Sequence, residues 1–376
     1  MKIGIDAQPL LSRSAGVTSY TRGILEGVTR QDKKNQYDLM LFQPFFKKLN
    51  PIFKKSGNFK YRLEGLFPYK VFYKLHKWGV KIPLEIFFGK HDLWFFPNFV
   101  VYPHRAGKSV VVVHDLAFEK VPQYVQDQNV RFLKKFVPRS LSKADHIVVT
   151  SEFTKADVVK TYGIPEDKIA VVYPGVDLEK FRPSGSARIN QIKEKYGITK
   201  PYILYLGTLE PRKNVPSVIK AYAGLKNKKD YQLVLAGKRS WQDRDIFEKV
   251  REFRIGDSVV FPGYISDEDR PDLLSAAEVF VYPSFFEGFG MPVIEAQACG
   301  TPVIASNATS LPEVGGNAAV YVDPDDADGL TRSLEELLSS PPRRDNLAKM
   351  GLANVRRFSW EDSARKIVDV FNRLID

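Results

Sequence analysis

Short apolar runs rich in β-branched and aromatic residues alternate with helix-length stretches along the whole chain, and this alternation limits the fold more than any other feature. One series runs Ile3–Asp6, Tyr37–Phe42, Asp92–Phe96, Ser109–His114, His146–Thr150 and Ile169–Tyr173. A second follows at Tyr202–Leu206, Tyr231–Ala236, Val259–Phe261, Val279–Tyr282, Pro302–Ala305 and Ala319–Val322. Strands separated by helices call for parallel sheets covered by helices on both faces, and two series call for two such domains. The 376 residues suffice for two cores. Between the series, Tyr173-Pro-Gly-Val-Asp177 and Phe181-Arg-Pro-Ser-Gly-Ser186 are turn-rich and apolar-poor, which marks a hinge. From Trp360 onward, Ala364, Ile367, Val368, Val370 and Phe371 form a helical stripe that needs a partner surface, and the first domain is the expected one. The expected architecture is α/β, with doubly wound domains over residues 1–175 plus the helix 360–376, and over residues 176–359.

Charge is distributed unevenly. The chain carries a formal +12, and between residues 42 and 90 eleven Lys and Arg residues face only Glu64 and Glu85. Aromatics interleave with them, from Phe42, Phe45 and Phe46 through Phe72 and Trp78 to Phe88. Such a pattern suits an anionic membrane surface, and it equally describes a solvated lysine face over an aromatic core. Nucleic acid is the lesser reading. The amino end, Met1-Lys-Ile-Gly-Ile-Asp6, has a charge inside its first apolar run and lacks a signal peptide's uncharged segment, so a cytosolic location is expected. No uncharged apolar run approaches the roughly 18 residues of a spanning helix, and membrane contact is expected to be peripheral, on the inner face of the cytoplasmic membrane. The single cysteine, Cys299, allows neither an internal disulfide nor a thiolate-built zinc site, and its small-residue neighbours make it a packing residue.

Open α/β sheets bind ligands at the carboxyl ends of their strands, so the residues after each run carry the functional reading. If the two sheets face each other, these sets point into a shared cleft. In Pro283-Ser-Phe-Phe-Glu287-Gly-Phe-Gly-Met-Pro-Val-Ile-Glu295, two glutamates flank a glycine-rich turn and a helix start, where backbone N–H groups attract phosphate or sugar oxygens. Glu287, at the strand exit, can accept from sugar hydroxyls or sit beside positive charge at an anomeric carbon. Its structural alternative is a loop carboxylate capping backbone amides. Glu295 suits ribose hydroxyls, or simply the helix dipole. Arg212 and Lys213 follow a strand and a proline-led turn, where two cations can neutralise a departing diphosphate; an exposed charged pair is the plain alternative. His114 emerges from four valines with Asp115 beside it, placed to bind a sugar hydroxyl, act as a base, or serve structurally. Gly16 opens the first helix, which leads to Tyr20, and lets a phosphate or sugar approach. Three Asp-x-Asp pairs, Asp243/Asp245, Asp267/Asp269 and Asp323/Asp325, lie among other charges in loops, and no catalytic metal or other cofactor is expected.

In order and spacing, these motifs, with Ser151-Glu-Phe-Thr-Lys155, Val172-Tyr-Pro-Gly-Val-Asp177 and Phe358-Ser-Trp360, resemble the retaining glycosyltransferases of GT-B fold called family 4. The resemblance covers nearly the whole chain. It implies two Rossmann-like domains facing across a cleft, the first binding acceptor and the second a nucleotide-sugar donor. It further implies Glu287 on the donor sugar, Glu295 on the ribose, Lys213 on the diphosphate, Ile265 and Asp267 by the base, and His114 near the transferred sugar. Backbone amides of Phe289, Gly290, Met291 and Val293 would serve sugar and phosphate, since Pro292 has none. Gly16 joins the donor side, while Asp115 and Tyr20 fall on the acceptor side. Many members carry arginine where this chain has Thr208, and Arg212 is the expected substitute. The text around His114-Asp-Leu-Ala-Phe is most similar to mannosyl- and rhamnosyltransferases of surface-polysaccharide assembly, which implies a GDP-sugar donor and a lipid-linked or polysaccharide acceptor. A sucrose- or trehalose-type synthase with a soluble acceptor and a noncatalytic sugar-binding protein are the alternatives. Nucleic acid is not an expected partner.

Overall fold

A computed structural model describes residues 1–11, 15–42, 57–240 and 242–375. The chain forms two units: Met1–Lys120 with Asp127–Gly175 and Phe358–Asp376, and Val121–Gln126 with Val176–Arg357.

In the first unit, β1 (Lys2–Asp6), β2 (Gln36–Phe42), β3 (Phe59–Glu64), β4 (Leu93–Phe96), β5 (Lys108–Val113), β6 (His146–Val149) and β7 (Ile169–Val171) make one sheet. Among the described residues it has seven strands in the order β3-β2-β1-β4-β5-β6-β7, and every pairing is parallel. Val110 to Val113 are fully buried, as helices on both faces demand. Strand β3 is an addition to the sequence reading. It is an edge strand whose Lys60 and Arg62 are exposed, so it has no continuous apolar run to announce it, and the charges blunt its open edge.

The helix Trp360–Ile375 belongs to this unit and buries Ala364, Ile367, Val370 and Phe371. It packs on the helix Ala15–Gln31 where Gly23 and Gly27 stand. A Cβ at Gly23 would come within 2.4 Å of the Trp360 ring, and one at Gly27 within 2.7 Å of Ala364 Cβ. Glycine is needed there for close approach. Phe371 meets Phe95 edge-on at 5.3 Å. Replacing Phe371 with alanine is expected to destabilise the fold by about 3–5 kcal/mol, read as a shift in denaturant midpoint.

The second unit contains β8 (Tyr202–Leu206), β9 (Gln232–Ala236), β10 (Val259–Gly263), β11 (Val279–Tyr282), β12 (Val303–Ser306) and β13 (Ala319–Val322). Their order is β10-β9-β8-β11-β12-β13, again all parallel. Both sheets are doubly wound, as the strand series requires. Each order changes direction at one point, between β1 and β4 and between β8 and β11, and loops leaving the two central strands there diverge to opposite faces and leave a crevice.

Candidate active site

At the switch point of the second sheet, the loops after β8 and β11 lie side by side, tied by Phe285 N–H donating to Arg212 O at 2.9 Å. After β8 the chain turns through Pro211–Lys213 into Asn214, whose φ is 55°. Asparagine tolerates that left-handed backbone, and its side-chain amide donates to the carbonyls of Pro283 (3.2 Å) and Pro324 (2.6 Å). The turn is thereby stapled to the neighbouring loop.

This stapling brings Lys213, Arg212 and Glu287 together. Lys213 Nζ donates to Glu287 Oε1 at 2.5 Å and to Tyr282 Oη at 2.7 Å. Arg212 Nη1 reaches Glu287 Oε2 at 3.3 Å and Phe286 O at 2.6 Å, while Nη2 holds Glu210 Oε1 at 3.0 Å. Each oxygen of Glu287 therefore rests on its own cation. Burial alone would raise the Glu287 carboxyl, which is only 6% exposed, but Lys213 and Arg212 overcome it and hold the pKa at about 2. For Lys213, 8% exposed, burial pulls the ammonium below its ordinary range, against the opposing pull of Glu287. The sequence alternative of an exposed cation pair fails for Lys213, which is buried. The four groups, Glu210 included, balance to neutrality, so the two cations are already held in place by carboxylates.

The peptides around Glu287 are aimed as well. Ser310 Oγ donates to the carbonyls of Glu287 (2.9 Å) and Phe289 (3.1 Å). In a trans peptide the N–H points opposite the C=O, so the amides of Gly288 and Gly290 face away from Ser310. Glu287 N–H donates to Thr309 Oγ1 at 3.1 Å, and Thr309 adopts φ 57°. A β-branched residue there is strained, and such strain collects at ligand-binding sites. Gly290 has φ 96°, and a Cβ would come within 2.4 Å of Leu311, so glycine is required on both counts. One expected donor is corrected: Val293 N–H is spent on Gly290 O at 2.9 Å, one turn inside the helix Met291–Ala298. Gly290 and Met291 precede that commitment and stand at the helix start, where amides lack intrahelical partners.

Glu295 lies buried in the same helix and is met by Arg270, whose Nη1 sits 3.2 Å from Oε1. Arg270 Nη2 holds Asp267 Oδ1 at 2.8 Å, and Nε is buried without a hydrogen-bond partner among the described residues. Burial raises the Glu295 carboxyl, and Arg270 opposes that rise. Arg270 escaped the sequence reading. Its signal was the charged run Asp267-Glu-Asp-Arg270, which looks like surface until Glu295 is found to be buried against it. Ile265 is buried, Thr208 is exposed, and Tyr205 Oη donates to Thr208 O at 2.9 Å. In each of the three Asp-x-Asp pairs at least one carboxylate has a protein partner: Asp243 binds Arg239, Asp267 binds Arg270, Asp269 binds Lys195, and Asp323 accepts from Asp325 N–H.

The remaining site residues belong to the first unit. His114 Nε2 sits 2.8 Å from Pro97 O, an acceptor only, so Nε2 carries the proton and a neutral ring presents a lone pair at Nδ1. Burial favours that neutral form by lowering the pKa. Tyr20 differs from its expected place on the acceptor side. It is 1% exposed and stacks edge-on against His114 (5.1 Å) and Trp360 (6.1 Å), so it supports the imidazole from behind. Asp115 Oδ1 accepts from Ala117 N–H at 2.9 Å, which fixes the turn after β5 rather than offering that oxygen to a ligand. Gly16 is exposed, and a Cβ there would meet no described atom within 4 Å. Ser14, just before it, is outside the described residues, as are Phe45, Phe46, Lys47, Lys48, Phe53, Lys54 and Lys55 of the basic segment.

Two doubly wound units, one with the buried Lys213–Glu287 pair at its switch point, define an enzyme of GT-B architecture. Residues 188–353 match the model of glycosyl transferases group 1, and residues 48–180 match that of Glycosyltransferase Family 4. The O-antigen chain mannosyltransferase B of Escherichia coli is 34% identical over 281 residues, spanning 74% of this chain and 73% of that protein. Sucrose-phosphate synthase from Thermosynechococcus elongatus superimposes with a TM-score of 0.76 at 22% identity, covering 100% of this chain and 99% of that one. Anabaena HepE, solved with UDP and glucose, gives 0.73 at 16%, covering 99% of both. The chain belongs to glycosyltransferase family 4 and is a glycosyltransferase.

Proposed function

We propose that the enzyme moves a hexose of mannose or rhamnose type from a nucleotide-sugar donor, with GDP as the favoured nucleotide, to a lipid-linked or polysaccharide acceptor, retaining anomeric configuration. The observation that carries this reading is the Arg212–Lys213–Glu287 constellation at the β8/β11 switch point. As the bond from the anomeric carbon to the diphosphate oxygen breaks, negative charge grows on the leaving group, and Lys213 with Arg212 takes it up. Glu287, ionised at every physiological pH, accepts from the sugar's hydroxyls and faces the positive charge developing at the anomeric carbon. The acceptor oxygen forms its new bond on the face the leaving group departs from, and its proton passes to the departing phosphate oxygen. Glu295 binds the ribose, the amides of Gly290 and Met291 bind phosphate or sugar, and Ile265 and Asp267 lie by the base; in the first unit, His114 Nδ1 accepts from a sugar hydroxyl.

The mannose-type donor is supported by the Escherichia coli relative, named a mannosyltransferase of O-antigen chains, and nucleotide-sugar use by the HepE complex with UDP and glucose. The enzyme is assigned to the cytosol at the inner face of the cytoplasmic membrane. A panel of GDP-, UDP- and dTDP-sugars tests the reading through binding and slow donor hydrolysis. GDP-mannose or a GDP-deoxyhexose is expected to be hydrolysed fastest, with the rate unchanged by EDTA. Preference for a UDP-sugar and a soluble hexose phosphate acceptor would instead favour the synthase reading that the likeness to sucrose-phosphate synthase allows, and reversible loss with EDTA would overturn the metal-free mechanism.

A further inference from the structure

We infer that the outward face of the helix Tyr69–Lys77, with Leu66 before it and Trp78 and Val80 after it, docks the enzyme on an anionic lipid bilayer; this rests on the reading of a lipid-linked acceptor. Six of the large apolar residues exposed among the described residues, Leu63, Leu66, Val71, Trp78, Val80 and Ile86, fall in one stretch of the first unit. Scattered exposed apolar residues need no explanation, but a concentration of them marks an interaction surface. Leu66 is 86% exposed and Trp78 is 74% exposed.

The helix itself is two-faced. Phe72 and His76 turn inward onto an aromatic core, with Phe72 stacked on Phe42 at 4.7 Å and His76 against Phe136 at 4.6 Å. Lys70, Val71, Lys74, Lys77 and Trp78 recur at helical spacing on the other side and are all exposed. This separates the readings of the basic aromatic segment: most of its described rings build a core beneath the lysines, as the solvated-face reading holds. Among the described residues these rings offer no stacking platform for nucleic acid, since they are turned inward. What remains outside is a tryptophan, aliphatic tips and lysines, the composition of a helix lying in a bilayer interface.

Charge points the same way. Lys70, Lys74, Lys77 and Lys81 form no ion pair among the described residues, and the intervening residues outside that set, 43–56, contain no Asp or Glu. Both local carboxylates are turned to backbone: Glu64 Oε1 accepts from Leu66 and Phe67 N–H at 2.7 and 2.9 Å, and Glu85 Oε1 from Arg105 and Ala106 N–H at 2.6 and 3.0 Å. The lysine field is thus left for an external anion. No helix among the described residues is long and apolar enough to cross a membrane, so attachment by this helix is interfacial.

Flotation of the full chain with phosphatidylcholine vesicles, with and without phosphatidylglycerol, tests the surface. Binding is expected only with the anionic lipid and is expected to weaken with salt. The K74E/K77E double variant should lower vesicle partition at least tenfold, since each lysine near an anionic surface contributes about fivefold. L66S/W78S should also release the protein, whereas K226E on the second unit should not. Donor hydrolysis by these variants should stay at the wild-type rate, which confirms folding and separates this proposal from the choice of donor. Absence of wild-type binding to anionic vesicles overturns the inference, as does binding that survives both double variants; binding with a failed GDP-sugar assay would leave the surface standing and sink the donor assignment.

Discussion

Lys213→Ala is expected to lower transfer by more than about a hundredfold and to destabilise the fold by about 3–5 kcal/mol, because one substitution removes the leaving-group cation and strands a buried carboxylate. Of its two cations Glu287 would keep only Arg212, at 3.3 Å, against a desolvation that already pushes its pKa upward. The two effects separate in the Lys213→Met/Glu287→Gln double variant. With both charges gone, most of the lost stability should return, while activity should not. Denaturant midpoints paired with initial rates read both quantities; a single variant as stable as wild type would show that the pair is looser than its geometry. The acid limb carries the same signature. Glu287 has a folded pKa of about 2, below its ordinary 4.5, so its stabilising contribution is complete above 4.5 and disappears as pH falls toward 2. In Lys213→Ala that depression shrinks, and this part of the acid sensitivity shrinks with it.

The second large effect is expected at a residue the sequence reading passed over. Arg270→Met should raise the donor KM roughly ten- to a hundredfold with a much smaller change in kcat, the range expected for hydrogen bonds to a charged group. Burial already raises the Glu295 carboxyl; Arg270 and, more weakly, Lys180 pull it down, while Asp267 pushes it up. Without the guanidinium the carboxyl rises further, and a proton competes with the ribose hydroxyls for its oxygens. The donor KM of the variant should therefore be worst at low pH and improve as pH rises, whereas the wild type should vary less. Arg270→Lys should fall between them, since it keeps the charge but not the fork that spans Glu295 and Asp267. A variant whose donor KM is pH-independent and close to wild type would show that Arg270 only packs.

The alternation of apolar runs with helix-length stretches was enough to read two doubly wound sheets, because parallel strands buried on both faces leave continuous apolar text. Where burial is one-sided, the text is ambiguous. Phe59-Lys-Tyr-Arg-Leu-Glu64 alternates with a period of two, the mark of an edge strand, yet the same letters read as basic residues interleaved with aromatics. Glu287 and Lys213 were legible because each follows a strand that ends at the switch point. Arg270 was not, since its importance depends on the burial of Glu295, and burial of a charge cannot be read from its neighbours in sequence. Tyr20 and Val293 erred for a related reason: proximity to a strand end or a helix start does not tell whether a hydroxyl is exposed or an amide is already engaged.

Two glutamates eight positions apart divide into a catalytic and a nucleotide-holding role, and steady-state kinetics of Glu287→Gln and Glu295→Gln with a GDP-sugar donor test this most directly. Glu287→Gln is expected to lose more than about a hundredfold in kcat with donor KM within a few-fold of wild type, and Glu295→Gln to raise donor KM at nearly unchanged kcat. Near-normal turnover by Glu287→Gln, or the same kinetic defect in both variants, would contradict it.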